Sequence, residues 1–119
     1  MEFKIKEVNN TRIAEVVAEE RVISNAADGT DLIGNLYYQD VDRVILHQEN
    51  ITPEFFDLKT GIAGEVLQKF SNYRMRLAIV GDFSIYPGKS IQDFIFESNK
   101  YRQVNFVASM AEAIDRLSS

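Results

Sequence analysis

Three short apolar runs dominate the second half of this chain: Val44-Ile-Leu46, Leu77-Ala-Ile-Val80, and Val104 with Phe106-Val107. Stretches of helical periodicity separate them. Continuous apolar runs of this length suit strands covered on both faces, because a strand with one wet face would alternate polar and apolar residues. After the first run, Phe55, Leu58, Ile62, Val66 and Phe70 fall on one helical face. Thr52-Pro53 reads as the start of that helix. Threonine can cap it, and the missing N–H of proline would be unpaired in the first turn anyway. Ser90 with Asp93 opens the next helical pattern, which carries Ile91, Phe94 and Ile95. Ser109 with Glu112 forms a capping box for a last helix that turns Ala113, Ile114 and Leu117 inward.

The first half starts differently. Phe3, Ile5 and Val8 mark one strand, Ile13, Val16 and Val17 another, and Asn9-Asn10 between them suits a tight hairpin turn. Val22 and Ile23 either form a short further strand or lead into the next element. Asn25 caps a helix predicted through Tyr38, with Leu32, Ile33, Leu36 and Tyr37 at helical spacing and Gly29 and Gly34 as weak points. The order is a β-hairpin, three αβ units and a final helix. Such alternation implies parallel pairing, right-handed crossovers and one α/β domain over residues 1–119, with a mixed sheet covered by helices.

Composition narrows the functional classes. The 119 residues are 45% hydrophobic and 26% charged, which is ordinary for a globular domain. A formal net charge of −5 with dispersed basic residues argues against nucleic acid as a partner. Cysteine is absent, so neither disulfides nor thiolate sites are available. The N-terminal Met1-Glu-Phe-Lys-Ile-Lys has no apolar signal core, and no run is long enough for membrane insertion. The expected location is cytoplasmic.

In open α/β sheets, ligands favour the loops beyond the carboxyl ends of parallel strands. Three such edges are readable: His47-Gln-Glu-Asn50, Gly81-Asp-Phe-Ser84 and Ala108-Ser109. The opening turns of the Thr52–Phe70 helix are expected beside the first two. Glu49, Asp57, Lys59, Thr60, Gly61, Gly64, Asp82 and Ser84 therefore form the candidate ligand- or partner-binding set. Gly61 and Gly64 have a spacing that suits close backbone packing on the sheet. No dinucleotide or phosphate-loop pattern surrounds them, and no cofactor motif occurs. Asp57, Glu49 and Asp82 could hold magnesium only if they converge, and their spacing matches no metal loop. Tyr37, Tyr38, Phe83 and Tyr86 could line a small apolar pocket.

The hairpin followed by helix–strand alternation resembles the STAS (SpoIIAA-like) fold of bacterial anti-sigma-factor antagonists. Phe55-Phe-Asp-Leu-Lys-Thr-Gly-Ile-Ala-Gly64 with Leu77-Ala-Ile-Val-Gly-Asp82 also resembles STAS/SEC14-type single-domain proteins. The whole chain resembles a bacterial family known only as a domain of unknown function, through Thr-Pro-Glu-Phe-Phe-Asp-Leu-Lys-Thr-Gly-Ile-Ala-Gly-Glu at residues 52–65. Typical STAS members carry Asp-Ser-Ser-Gly at the corresponding helix start, and a partner kinase phosphorylates the serine before glycine. Aligned on Gly61, Thr60 is the phosphoacceptor that this resemblance implies. Leu58 and Lys59 replace the family's Asp and first Ser, and Asp57 lies one position early. Read from its own residues, Thr60 lies inside a helix that began at Thr52.

Three functional readings follow. The first is a regulatory, non-enzymatic module presenting Asp57–Gly64 to a protein partner. The second is a small apolar or lipid-like ligand, implied by the STAS/SEC14 resemblance and by Phe83-Ser-Ile-Tyr86 beyond a strand. The third is an enzyme using His47 and Asp57. His47 is the only histidine, without the second ligand or base that common sites require. The hairpin edge also offers a surface for a homodimer.

Overall fold

The computed structural model describes residues 1–119. Strands β1 (Glu2–Val8) and β2 (Thr11–Val17) pair antiparallel. Asn9 and Asn10 turn the hairpin with φ of 53° and 62°. Two successive left-handed residues are what a two-residue type I′ turn needs, and asparagine adopts that conformation more readily than most side chains. Then come α1 (Ala26–Tyr38), β3 (Arg43–His47), α2 (Ile62–Asn72), β4 (Arg76–Val80), α3 (Lys89–Asn99), β5 (Val104–Val107) and α4 (Met110–Leu117). The sheet runs β1-β2-β3-β4-β5, parallel from β2 onward. The chain is thus an α/β domain with a mixed sheet opened by a hairpin. Val22 and Ile23 add no strand of their own, although Ile23 makes one isolated parallel bridge to Ile51.

Each crossover advances one strand in the same direction. With right-handed connections, that rule sends α1, α2 and α3 to one face. The larger apolar cluster lies there, joining Val16, Val44, Leu46, Leu77, Ile79 and Phe106 of the sheet to Leu36, Val66 and Phe70 of the helices. On the other face, Ile13, Ile45, Ala78 and Val107 pack with Ala113 and Leu117 of α4. Both faces of β3 and β4 are therefore buried, which explains their unbroken apolar runs.

Local chemistry sets the helix ends. The Asn25 side chain accepts from Asp28 N at 2.9 Å, and Asp28 Oδ2 accepts from Ser24 N at 2.8 Å. Ser109 Oγ accepts from Glu112 N at 3.2 Å. Gly29 is buried where α1 crosses α2, and a Cβ there would touch Val66 Cγ1 at 3.5 Å. Arg76 donates to the carbonyls of Arg116 at 2.7 Å and Arg102 at 3.0 Å, while Arg43 donates to Leu117 O. These two guanidiniums hold the carbonyl end of α4, where positive charge also complements the helix dipole.

Two expected helices begin elsewhere. The Thr52–Phe70 segment is two 3₁₀ turns, Pro53–Phe56 and Leu58–Thr60, and α2 starts only at Ile62. Asp57 Oδ1 accepts from Lys59 N at 3.2 Å, and Thr60 Oγ1 lies 2.8 Å from Glu54 O and 2.9 Å from Asp57 O. These side chains offer the backbone local partners that compete with helix continuation. Gly61, at φ 77°, then breaks the path. Similarly, α3 begins at Lys89 with Gly88 as its N-cap at φ 108°, so Ser90 is inside the first turn and caps nothing.

Candidate functional site

The carboxyl ends of β3 and β4 are joined beyond the strands by one side chain. Gln48 Oε1 accepts from Asp82 N at 2.8 Å, and Gln48 Nε2 donates to Asp82 O at 3.2 Å and to Tyr86 Oη at 2.7 Å. The amide behaves like one more residue of a strand, satisfying both backbone groups of Asp82 where sheet pairing stops. Tyr86 in turn stacks on Phe56, with ring centroids 4.4 Å apart and planes 9° from parallel. Phe83 packs between Phe56 and Phe106, at 5.7 Å and 5.3 Å. The expected meeting of the 52–60 turns with the two strand ends is therefore real, and aromatic rings make it.

A small cavity and a larger groove flank this aromatic stack, with Pro53 and Tyr86 bordering both. The cavity, about 470 Å³, has Ile51, Val80 and Gly81 in its wall and Arg21, His47 and Glu49 among its polar groups. His47 Nε2 lies 2.8 Å from Glu15 Oε2, and Lys6 Nζ approaches Glu15 Oε1 at 3.8 Å. The partner that orients His47 is thus Glu15 of the neighbouring strand. Asp57 borders the groove and not the cavity, so His47 and Asp57 do not share a site.

The groove, about 860 Å³, runs between the 53–59 turns and the start of α3. Phe56, Leu58 and Ile91 supply its apolar wall, with Asp57, Lys59 and Lys89 among its charged groups. Phe56 and Ile91 are buried, whereas Leu58 is half-buried. The Asp57 carboxylate is engaged as the cap of its own turn. Lys89 donates to Asp93 at 2.6 Å, and that bond raises its pKa above the ordinary lysine value. Lys59 makes no ion pair, which leaves it the groove's uncommitted charge.

Thr60, Gly61, Gly64, Asp82 and Ser84 line neither space. Thr60 lies outside the α-helix in which its sequence context places it and instead closes the second 3₁₀ turn, where Oγ1 also accepts from Ile62 N at 3.3 Å. Gly61 is the αL residue from which α2 starts, and a Cβ at Gly61 or Gly64 would meet nothing within 4 Å. Close packing on the sheet therefore explains neither glycine. Asp82 Oδ1 accepts from Ser84 Oγ at 2.6 Å and from Ser84 N at 3.1 Å. The Ser84 hydroxyl, followed by its N–H, holds the Asp82 carboxyl below the ordinary aspartate value.

Glu49, Asp57 and Asp82 do not converge, and no group of three or more His, Asp or Glu could hold a metal ion. The predicted aromatic pocket also divides. Phe83 and Tyr86 join the stack with Phe56, but Tyr38 is 90% exposed. Tyr37 borders a cavity with Arg12 and Arg43, and its hydroxyl donates to Tyr73 O. Nothing in the sequence pattern singled out Arg21 or Glu15, whereas Gln48 and Gly81 lay within the expected strand edges but outside the candidate set. Pro87-Gly88 was a turn signal that could have moved the start of α3 and revealed the groove.

The sequence model of Domain of unknown function (DUF4180) matches residues 8–117, so the chain belongs to that family. Comparison with curated proteins and with solved structures gives no match. No helix is long and apolar enough to cross a membrane.

Proposed function

We propose that this member of the DUF4180 family is a STAS-like regulatory module without enzymatic activity, which takes a segment of a protein partner into the groove beside Asp57–Gly64. The observation that carries the reading is the groove itself, where an apolar wall of Phe56, Leu58 and Ile91 lies beside the uncommitted ammonium of Lys59. Apolar anchoring with a few charged groups at the edge is the usual anatomy of a recognition surface. The strand order and hairpin support the STAS-like comparison, and under it Thr60 is the phosphoacceptor. A phosphate there would replace a hydroxyl donor with a dianion beside the Glu54 and Asp57 carbonyls, opening the turn that forms one groove wall. A second copy would pair along the outer edge of β1, an end strand of the sheet.

The test begins with capture of binding proteins on the immobilised chain and continues with direct titration of each purified candidate. Lys59→Glu and Leu58→Asp should each weaken the complex about tenfold or more, since a hydrogen bond or apolar anchor of this kind is worth roughly 1.4 kcal/mol or above. Unchanged affinity in both variants would count against this surface. The same apolar wall favours a second reading, a small apolar or lipid-like ligand in the groove. Native mass spectrometry of the freshly purified protein would reveal such a ligand as added mass lost on Leu58→Asp. Location in the cytoplasm belongs to the same proposal, as does the absence of nucleic acid among its partners.

A further inference from the structure

The connection between β2 and α1 carries Arg21, an exposed residue whose backbone is nevertheless fixed on both sides. Asn50, 1% exposed, donates from Nδ2 to Ala18 O and Glu20 O, each at 2.9 Å. Its own carbonyl accepts from Val22 N at 2.7 Å and from Ile23 N at 3.1 Å. One buried amide residue therefore grips the chain immediately before and after Arg21. Burying an asparagine is costly unless its polar groups are bonded, so its bonds to this connection define the connection's path.

Glu49 directly precedes Asn50 in the same 3₁₀ turn, Gln48–Asn50. Asn50 thus places a guanidinium and a carboxylate on the wall of one cavity of about 470 Å³. The two form no ion pair with each other, and neither side chain pairs with any other charged group. Opposite charges lining one cavity with Ile51, Val80 and Tyr86, on backbone segments that Asn50 ties together, complement a molecule carrying both charges and a modest apolar part. The volume lies within the range of small-molecule sites, and the location beyond the carboxyl ends of β3 and β4 is where open α/β sheets bind ligands.

We infer that this cavity binds a small zwitterion of the amino-acid class, its carboxylate on Arg21 and its ammonium on Glu49. Gln48 serves the site indirectly, because its amide is already committed to Asp82 and Tyr86 and so braces the cavity's lining. This inference is independent of the partner groove, whose test uses residues on the opposite side of the Phe56–Tyr86 stack.

The experiment is a titration of the ¹⁵N-labelled protein with each standard amino acid, and with 4-aminobutanoate and 5-aminopentanoate, followed by two-dimensional NMR. At least one zwitterion should shift the amides of Glu49, Ile51 and Gly81 in a saturable way. Its decarboxylated amine and its deaminated acid should each bind more weakly. Arg21→Gln and Glu49→Gln should each reduce affinity about tenfold or more, in line with the loss of one charge-assisted bond, while Arg21→Lys keeps part of it. Neither side chain lies in the core, so circular dichroism and thermal unfolding should be unchanged. Absence of saturable shifts up to about 10 mM, a range covering even weak metabolite binding, would overturn the assignment. Equal affinity of wild type, Arg21→Gln and Glu49→Gln would overturn it as well.

Discussion

Gln48 occupies the space that a side chain at Gly81 would need. A Cβ built on Gly81 would meet Gln48 Oε1 at 2.2 Å and Gln48 Cβ at 2.5 Å. The second contact is decisive, because it involves the root of the side chain and not only its flexible end. Gly81→Ala should therefore destabilise the fold by about 1–3 kcal/mol, the usual cost of overpacking. Gln48→Gly removes the obstructing atoms, so the double variant should be more stable than the sum of the two losses predicts. Urea unfolding of the four proteins measures that coupling.

Gly61 and Gly64 should respond with opposite signs. Gly61 sits at φ 77°, where any side chain meets steric strain, so Gly61→Ala should cost about 1–2 kcal/mol. Gly64 lies in α2 with open space around its missing Cβ. Gly64→Ala should stabilise by roughly 0.5–1 kcal/mol, since alanine loses less chain freedom on entering a helix. Thermal melts would show the two midpoints moving apart.

Asp82 should titrate below an ordinary aspartate. The Ser84 hydroxyl and N–H both stabilise its charged form, depressing the folded-state pKa. A depressed carboxylate contributes stability above its unfolded pKa of about 3.9, and that contribution is lost as pH falls through the folded value. Ser84→Ala removes the larger of the two causes and should raise the Asp82 midpoint. Carbon-detected NMR titration of the carboxyl group reads both values directly.

Thr60 is a tie within its own turn. Its Oγ1 is placed to donate to Glu54 O or Asp57 O and to accept from Ile62 N. Thr60→Val keeps the shape but abolishes these bonds, and should cost about 1 kcal/mol. Thr60→Ser retains them and should stay close to wild type. Faster amide exchange at Ile62 in the valine variant would locate the loss at the start of α2.

The elements legible from sequence were those fixed by neighbours along the chain. The Asn9-Asn10 turn and the Asn25 and Ser109 caps act within four residues, and the runs at Val44, Leu77 and Val104 needed only their own composition. The Thr52–Phe70 segment misled because Phe55, Leu58 and Ile62 satisfy helical spacing even in two 3₁₀ turns. What breaks the helix is a set of small local bonds from Asp57 and Thr60, together with a left-handed Gly61. Hydrophobic period carries no information about that competition. The site was harder still. Arg21 and Glu49 share a wall only because Asn50 reaches back to Ala18 and Glu20, and Gly81, just past β4, is constrained by Gln48 in the turn after β3. Both relationships exist only after folding.

The order of strands across the sheet is also the order in which they are made. During synthesis, each new strand from β2 onward meets an edge that is already present, and no edge has to wait for a distant segment. Such a neighbour-by-neighbour ladder keeps loop closures shorter than pairing of distant strands would require. Met110–Leu117 is the exception, for it alone covers Ile45, Ala78 and Val107 on the second face. Until Arg43 and Arg76 catch its carbonyl end, the nascent sheet is a half-clad surface exposed to other chains. The last helix is therefore the latch that takes the second face of the sheet out of water.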